Sequence, residues 1–183
     1  MRAGVLALAL AAMAAPALAA RLEIDVAGEA NGTIVVELFE DVAPQAVAQV
    51  EALAEEGAYD GVVFHRVIDG FMAQTGDVQY GRAGGDLSMA GMGGSSLPDL
   101  PAEFSDRPFA RGVVGMARSS DPDSANSQFF IMFADAPHLN GQYTVIGEVT
   151  EGLEVLDAIK RGEGANGEVS GEPDRMVDVR VVR

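Results

Sequence analysis

Three stretches of the 183-residue chain hold most of the side chains that could do chemistry: Phe64-His65-Arg66-Val67-Ile68-Asp69-Gly70-Phe71-Met72-Ala73-Gln74, Gly115-Met116-Ala117-Arg118, and Ser124-Ala125-Asn126-Ser127-Gln128-Phe129-Phe130-Ile131. The chain has no Cys, which removes thiol nucleophiles, disulfides and Cys-bound zinc. His65 and His138 are its two histidines and do not stand at zinc-ligand spacing. His65 is therefore read as a structural, hydrogen-bonded imidazole. Asp121, Asp123 and Asn126 outline a calcium loop only in part, because Asn126 and Met132 occupy the places of its glycine and terminal glutamate, so a polar turn is expected. The glycines between 84 and 94 lack the Lys-Ser/Thr ending of a phosphate-binding loop. Arg66 is a permanent cation, although a lone Arg beside a His is ordinarily a surface ion-pair partner. The apolar run 129–133 reads as a strand, and alternation lets one of its faces reach a pocket: Phe129 as core, Phe130 as pocket.

The elements that must position these groups follow from periodicity and turn chemistry. Residues 22–26 alternate apolar and polar, Asn31-Gly32 is a hairpin-turn pair, and 33–39 continues as a β-rich run, which makes an opening hairpin. Pro44 suits a first helical turn, and Val47, Val50, Leu53 and Ala54 keep helical spacing until Gly57. Short apolar runs at 62–68, 71–74, 112–117, 128–133 and 143–149 are strand candidates between turn residues. Residues 152–160 put Leu153, Leu156 and Ile159 on one helical face, and 176–182 alternates again as a last strand. About eight short strands with two helices predict a mainly β fold, an eight-stranded closed antiparallel barrel capped by the helices, because parallel strands would need crossover helices between them. Residues 78–101, rich in Gly, Ser and Met, have no periodic face and are expected to form a surface loop.

The bulk properties exclude some partners and place the chain. Its length fits one domain. A formal net charge of -16 opposes binding to nucleic acid, which rests on Lys and Arg displacing counterions. Arg2, the apolar run behind it and Ala17-Leu18-Ala19 form a secretory signal pattern with a cut expected at Ala19/Ala20. Residues 1–19 are thus a signal peptide and 20–183 an exported domain, with no stable membrane insertion after cleavage.

Taken together, the three ordered motifs resemble the cyclophilin family of peptidyl-prolyl isomerases. The resemblance continues through Leu139-Asn140-Gly141 and Val145-Ile146-Gly147-Glu148-Val149 and covers most of the chain after residue 20. It implies the same two-helix β-barrel that the strand count reaches independently. It also implies an enzyme that speeds cis/trans isomerisation of X-Pro bonds in polypeptides with no metal or cofactor. Carried over by the resemblance, Arg66 is the catalytic guanidinium, and Phe71, Met72, Phe130 and Leu139 line a pocket for the proline ring. Gln74 and Gln128 hold substrate backbone, and Ala117, His138 and Tyr143 complete the substrate-binding set. Arg118 either steers substrate or is simply solvated. His138 stands where many eukaryotic members carry a rim Trp and Tyr143 where they carry a His, so tight cyclosporin binding is not expected. Met116-Ala117-Arg118 has the form of bacterial members. The implied setting is the periplasm, as a monomer acting on proline-containing polypeptides. A rival reading stays open: a module that captures Pro segments as a chaperone or assembly partner, with isomerisation incidental.

Overall fold

The computed structural model describes residues 19–183, so the expected signal peptide lies, but for its last residue, outside them. Eight strands make one antiparallel sheet: β1 Arg21–Ala27, β2 Gly32–Leu38, β3 Arg66–Ile68, β4 Met72–Thr75, β5 Val113–Met116, β6 Phe129–Met132, β7 Val145–Glu151 and β8 Arg175–Val182. Their spatial order is β3-β4-β6-β5-β7-β2-β1-β8. Two helices, α1 Pro44–Glu55 and α2 Leu153–Ala158, and a 3-10 turn at Pro137–Leu139 complete the element set. Among the described residues no helix is long and apolar enough to cross a membrane.

The sheet differs from the closed barrel expected. Its ladders run as an open, curled sheet that ends at β3 and β8. The predicted strand 62–68 is interrupted, leaving β3 only 3 residues long. The residues just ahead of it meet the start of β8, at the other edge of the sheet, in isolated bonds without a continuous ladder: Gly61 N donates to Met176 O at 2.7 Å, Phe64 N to Asp174 O at 2.8 Å, and Met176 N to Val62 O at 2.9 Å. The opening hairpin forms, but its loop is 28–31, because Gly32 already pairs with Val26. Asn31 Nδ2 closes that loop on Gly28 O at 2.9 Å, and the buried Asp174 carboxylate accepts Ala30 N at 3.0 Å and Lys160 N at 2.7 Å. Gly32 has φ +143°, and a Cβ there would meet Val155 Cγ2 at 2.7 Å, so this position needs glycine.

The main core lies between the helices and one face of the sheet. Helix α1 buries Ala46, Val47, Val50, Leu53 and Ala54, the stripe that three- and four-residue spacing dictates. They pack with Ile24, Val36, Phe129 and Ile131 from the strands. Tyr59 is fully buried there, edge-on to Phe129 at 5.6 Å, and its hydroxyl donates to Ser127 O at 2.9 Å. The first turn of α1 has Ala43 at its cap and no side-chain bond from it. Glu103, from the long loop, supplies the missing acceptor: its two carboxylate oxygens take Gln45 N at 3.1 Å and Ala46 N at 2.9 Å. An anion at a helix N-terminus satisfies orphan amides and complements the macrodipole. Replacing Glu103 by Ala should lower stability by about 1 kcal/mol, the usual cost of a lost cap, measured as a lower urea midpoint at unchanged m.

Candidate active site

The strands carry a second apolar cluster on the face turned away from the main core. In β6, Phe129 and Ile131 belong to the main core, while Phe130 and Met132 join Met72, Phe109, Val113 and Leu139, as the two-residue period of a strand requires. Ladder register extends one row across four strands: Arg66 opposite Gln74, Gln74 opposite Phe130, Phe130 opposite Gly115. Residues directly opposite in antiparallel pairs share a face, so a cation, an amide, an aromatic ring and a glycine stand side by side. A Cβ at Gly115 would lie 2.7 Å from Phe109 Cε1 and from Phe130 Cζ. The two stacked rings, 5.7 Å apart, therefore occupy the space that this glycine leaves.

A cavity of about 170 Å³ opens on this face, with room for a single ring-sized group. Arg66, Phe71, Met72 and Gln74 line it from β3, β4 and the turn between them, and Ala117 and Arg118 from the end of β5. Phe130, Leu139 and Tyr143 complete the wall. Tyr143 meets Phe130 edge-on at 5.6 Å, and the Arg118 guanidinium lies 4.4 Å from the Tyr143 ring centroid.

Neutral groups fix the Arg66 guanidinium. Its Nε donates to Asn166 O at 2.9 Å and its Nη1 to Gln74 Oε1 at 3.2 Å. Gln74 Nε2 donates to Gln128 Oε1 at 2.9 Å, and Gln128 Nε2 donates to Gly91 O at 3.0 Å and Gly93 O at 2.8 Å. The amides of Gly91 and Gly93 donate in turn to Asp77 Oδ2 at 2.7 and 3.0 Å, while Asp77 Oδ1 accepts Gln79 N and Tyr80 N. The fully buried Asp77 carboxylate thus clamps the glycine-rich loop, and the loop holds the two glutamines that hold Arg66. Among the described residues no carboxylate lies within 4.0 Å of the Arg66 guanidinium nitrogens.

A family model described as cyclophilin type peptidyl-prolyl cis-trans isomerase/CLD matches residues 21–181. This chain belongs to the cyclophilin family. Over 153 residues the cyclophilin is 56% identical to a Brucella suis protein named "Probable peptidyl-prolyl cis-trans isomerase", covering 82% of this chain and 78% of that one. It is 45% identical over 137 residues to a Helicobacter pylori peptidyl-prolyl cis-trans isomerase, covering 73% of this chain and 77% of that one. Among solved structures, a cyclophilin type peptidyl-prolyl cis-trans isomerase from Cryptosporidium parvum superposes with a TM-score of 0.75 at 26% identity, over 89% of this chain and 97% of that one.

Nine of the positions that the cyclophilin resemblance implied line the cavity together: Arg66, Phe71, Met72, Gln74, Ala117, Arg118, Phe130, Leu139 and Tyr143. Gln128 lies one step away, in the wall of a neighbouring cavity, with its amide committed to the loop and to Gln74. His138 is exposed and does not line the cavity; its ring stacks on Phe71 at 5.8 Å. Asp77, Phe109 and the Asn166 carbonyl were not read from the sequence. Phe109, buried behind Phe130, carried no motif. The Asn166 contact is a backbone oxygen that residue type does not reveal.

His65 departs from the hydrogen-bonded role expected. The ring is 8% exposed, and neither of its nitrogens has a hydrogen-bond partner. Gly91 packs against it so closely that a Cβ there would sit 3.1 Å from its Cδ2 and Nε2. The imidazole is packing under the loop. Burial, the largest cause, and the neighbouring Arg66 charge hold its pKa below the ordinary value, opposed by the Asp77 carboxylate and by the nearby Val63 backbone and Gln128 side chain, which lie close without making a well-formed hydrogen bond. The folded protein therefore disfavours the imidazolium, and the unfolded chain takes up the proton first as pH falls below about 6.5. This contribution to stability should be fully present well above that value and decline as the pH falls through it towards the lower folded-state pKa. His65→Phe should flatten this part of the profile, read from urea midpoints across the pH range.

Proposed function

We propose that this cyclophilin accelerates cis/trans isomerisation of X-Pro bonds in polypeptides, with Arg66 as its catalytic residue and the adjoining cavity as the seat of the proline ring. Membership of the family supports the activity. The observation that carries the role of Arg66 is its guanidinium, oriented by neutral acceptors beside the Phe130–Met72 cup.

Amide resonance imposes a barrier of about 18 to 20 kcal/mol on rotation, so an X-Pro bond turns over in roughly 10 to 100 s. As the amide twists, the nitrogen lone pair localises. A fixed donor aimed at it then binds the transition state better than the planar ground state. Among the described residues, Arg66 uses Nε and one Nη1 hydrogen within the protein and leaves Nη2 for a client. One charge-assisted hydrogen bond contributes about 1.5 to 3 kcal/mol, whereas a millionfold acceleration needs about 8 kcal/mol. The cup supplies the rest by gripping the pyrrolidine ring while the preceding carbonyl rotates in a water-poor site.

Protease-coupled assays on a single-proline peptide test this. Arg66→Ala should reduce kcat by about 10- to 150-fold, the value of one such bond, with peptide binding largely retained. Arg66→Lys should also fail substantially, because a point charge does not reproduce the planar fork. Wild-type turnover in either variant removes Arg66 from the mechanism. Peptide binding without faster isomer exchange by NMR identifies a Pro-capturing module instead.

The reading extends to location: residues 1–19 direct export to the periplasm and are removed, and the remaining domain works as a monomer. The start of β1 at Arg21 supports that cut, since the Ala20 carbonyl that accepts Leu38 N at 2.9 Å is kept. A cut before Ala20 therefore spares every ladder. Intact mass and N-terminal sequencing of protein from a periplasmic fraction should give a chain that starts at Ala20. A chain that keeps residues 1–19 in the cytoplasmic fraction rejects the export.

A further inference from the structure

Arg118 shares the cup with Arg66 and also lines a second cavity of about 340 Å³ beside it, with Gln74 and Ala117 common to both. No Asp or Glu lines either one, in a chain with 28 acidic and 12 basic residues. Arg111, Lys160, Arg161, Arg180 and Arg183 all pair with carboxylates. Among the described residues Arg21, Arg66, Arg82, Arg107, Arg118 and Arg175 have no carboxylate within 4.0 Å, and of these only Arg66 and Arg118 line the two cavities. Backbone carbonyls hold Arg118 instead: Nε and Nη2 donate to Gln142 O at 3.2 and 2.8 Å, and Nη1 donates to Ser119 O at 2.9 Å. The guanidinium is further stacked over Tyr143 at 4.4 Å.

Three of the five guanidinium N–H groups are thereby used, which leaves one on each terminal nitrogen, the arrangement that forks onto a carboxylate. Exposed ion pairs are usually weak because two long side chains must be ordered to form them. Here the protein has already ordered one, so less of the association energy is spent on immobilisation. The overall negative charge repels acidic peptides at long range, but that repulsion is screened beyond about 8 to 10 Å, whereas a pair at Arg118 forms in contact. A Lys-bearing peptide is drawn by the long-range field and then meets two unneutralised guanidinia.

We propose that Arg118 is a specificity-determining residue that makes this cyclophilin favour clients carrying a carboxylate side chain within two residues of the isomerised proline. The proposal rests on the isomerase reading above and adds its substrate class. A client strand leaving the cup towards the second cavity passes Arg118, and an acidic residue there is recognised while the proline stays seated beside Arg66.

The test is a set of single-proline peptides in which one residue, at either of the two positions on each side of the proline, is Glu, Gln or Lys, with an all-Ala reference. The wild-type protein should show kcat/KM up to about fivefold higher for Glu than for Gln at one or more positions, the upper end of the range for a surface pair because one partner is already ordered, and lower still for Lys. The ratio should shrink at high salt. Arg118→Gln should bring the Glu-to-Lys ratio close to one, and Arg118→Glu should reverse it, whatever the absolute rates. Equal wild-type rates for Glu, Gln and Lys at every position, with good turnover of the Ala reference, overturn the proposal and leave the isomerase reading intact. A preference that survives in Arg118→Gln also overturns it. No turnover of any peptide, the Ala reference included, rejects the isomerase reading, and the proposal falls with it. The salt dependence of the wild-type ratio needs no variant, so the proposal stays falsifiable even where a substituted chain does not fold.

Discussion

The two-residue period of β6 is the constraint on which the rest of the molecule depends. Because Phe129 and Ile131 seal the main core, Phe130 and Met132 must face the other way, and the register of β4 then brings Gln74 beside Phe130 and Arg66 beside Gln74. A slip of one residue would turn every side chain in the row to the opposite face. In β6 it would turn Phe129 and Ile131 into the cup and Phe130 and Met132 into the main core, and in β3 it would turn Arg66 towards the main core. Core burial therefore enforces the geometry of the site.

A second constraint is electrostatic. Arg66 is oriented through two glutamines, a glycine-rich loop and the buried Asp77 carboxylate, so the negative charge that anchors the network is kept several hydrogen bonds away from the cation. A carboxylate in direct contact would orient the guanidinium equally well but would neutralise it. Neutral acceptors leave its charge available to a developing lone pair and cost no reorganisation when the reaction occurs. The loop, with no regular element of its own, is ordered because four of its backbone amides end on one carboxylate.

Much of this was legible in the residues. Period-two alternation separated Phe129 from Phe130, helical spacing selected the buried face of α1, and the motif resemblance gathered nine side chains that do converge on one cavity. What escaped was carried by interactions that residue type does not encode. The run 62–68 has β-rich chemistry throughout, yet only its last three residues pair with β4, and its first half meets the start of β8 in a few isolated bonds, so no continuous ladder joins the two edge strands and the sheet stays open where a closed barrel was expected. His65 was read as hydrogen-bonded because buried imidazoles usually are; packing against Gly91 left its nitrogens without partners. Asp77 sits in the loop-like stretch after β4, and its role becomes visible only when Gly91 and Gly93 fold back on it.

The two apolar clusters are separated by the thickness of a single sheet, one enclosed by the helices and the other open at the cup. Phe71, Tyr143, His138 and Arg118 stand at the rim of the open cluster, outside the tightly filled interior. Substitutions at these four can redraw what the protein accepts while the chain still collapses around the same hydrophobic nucleus. Such a molecule can diverge in clientele over many generations without passing through unfolded ancestors.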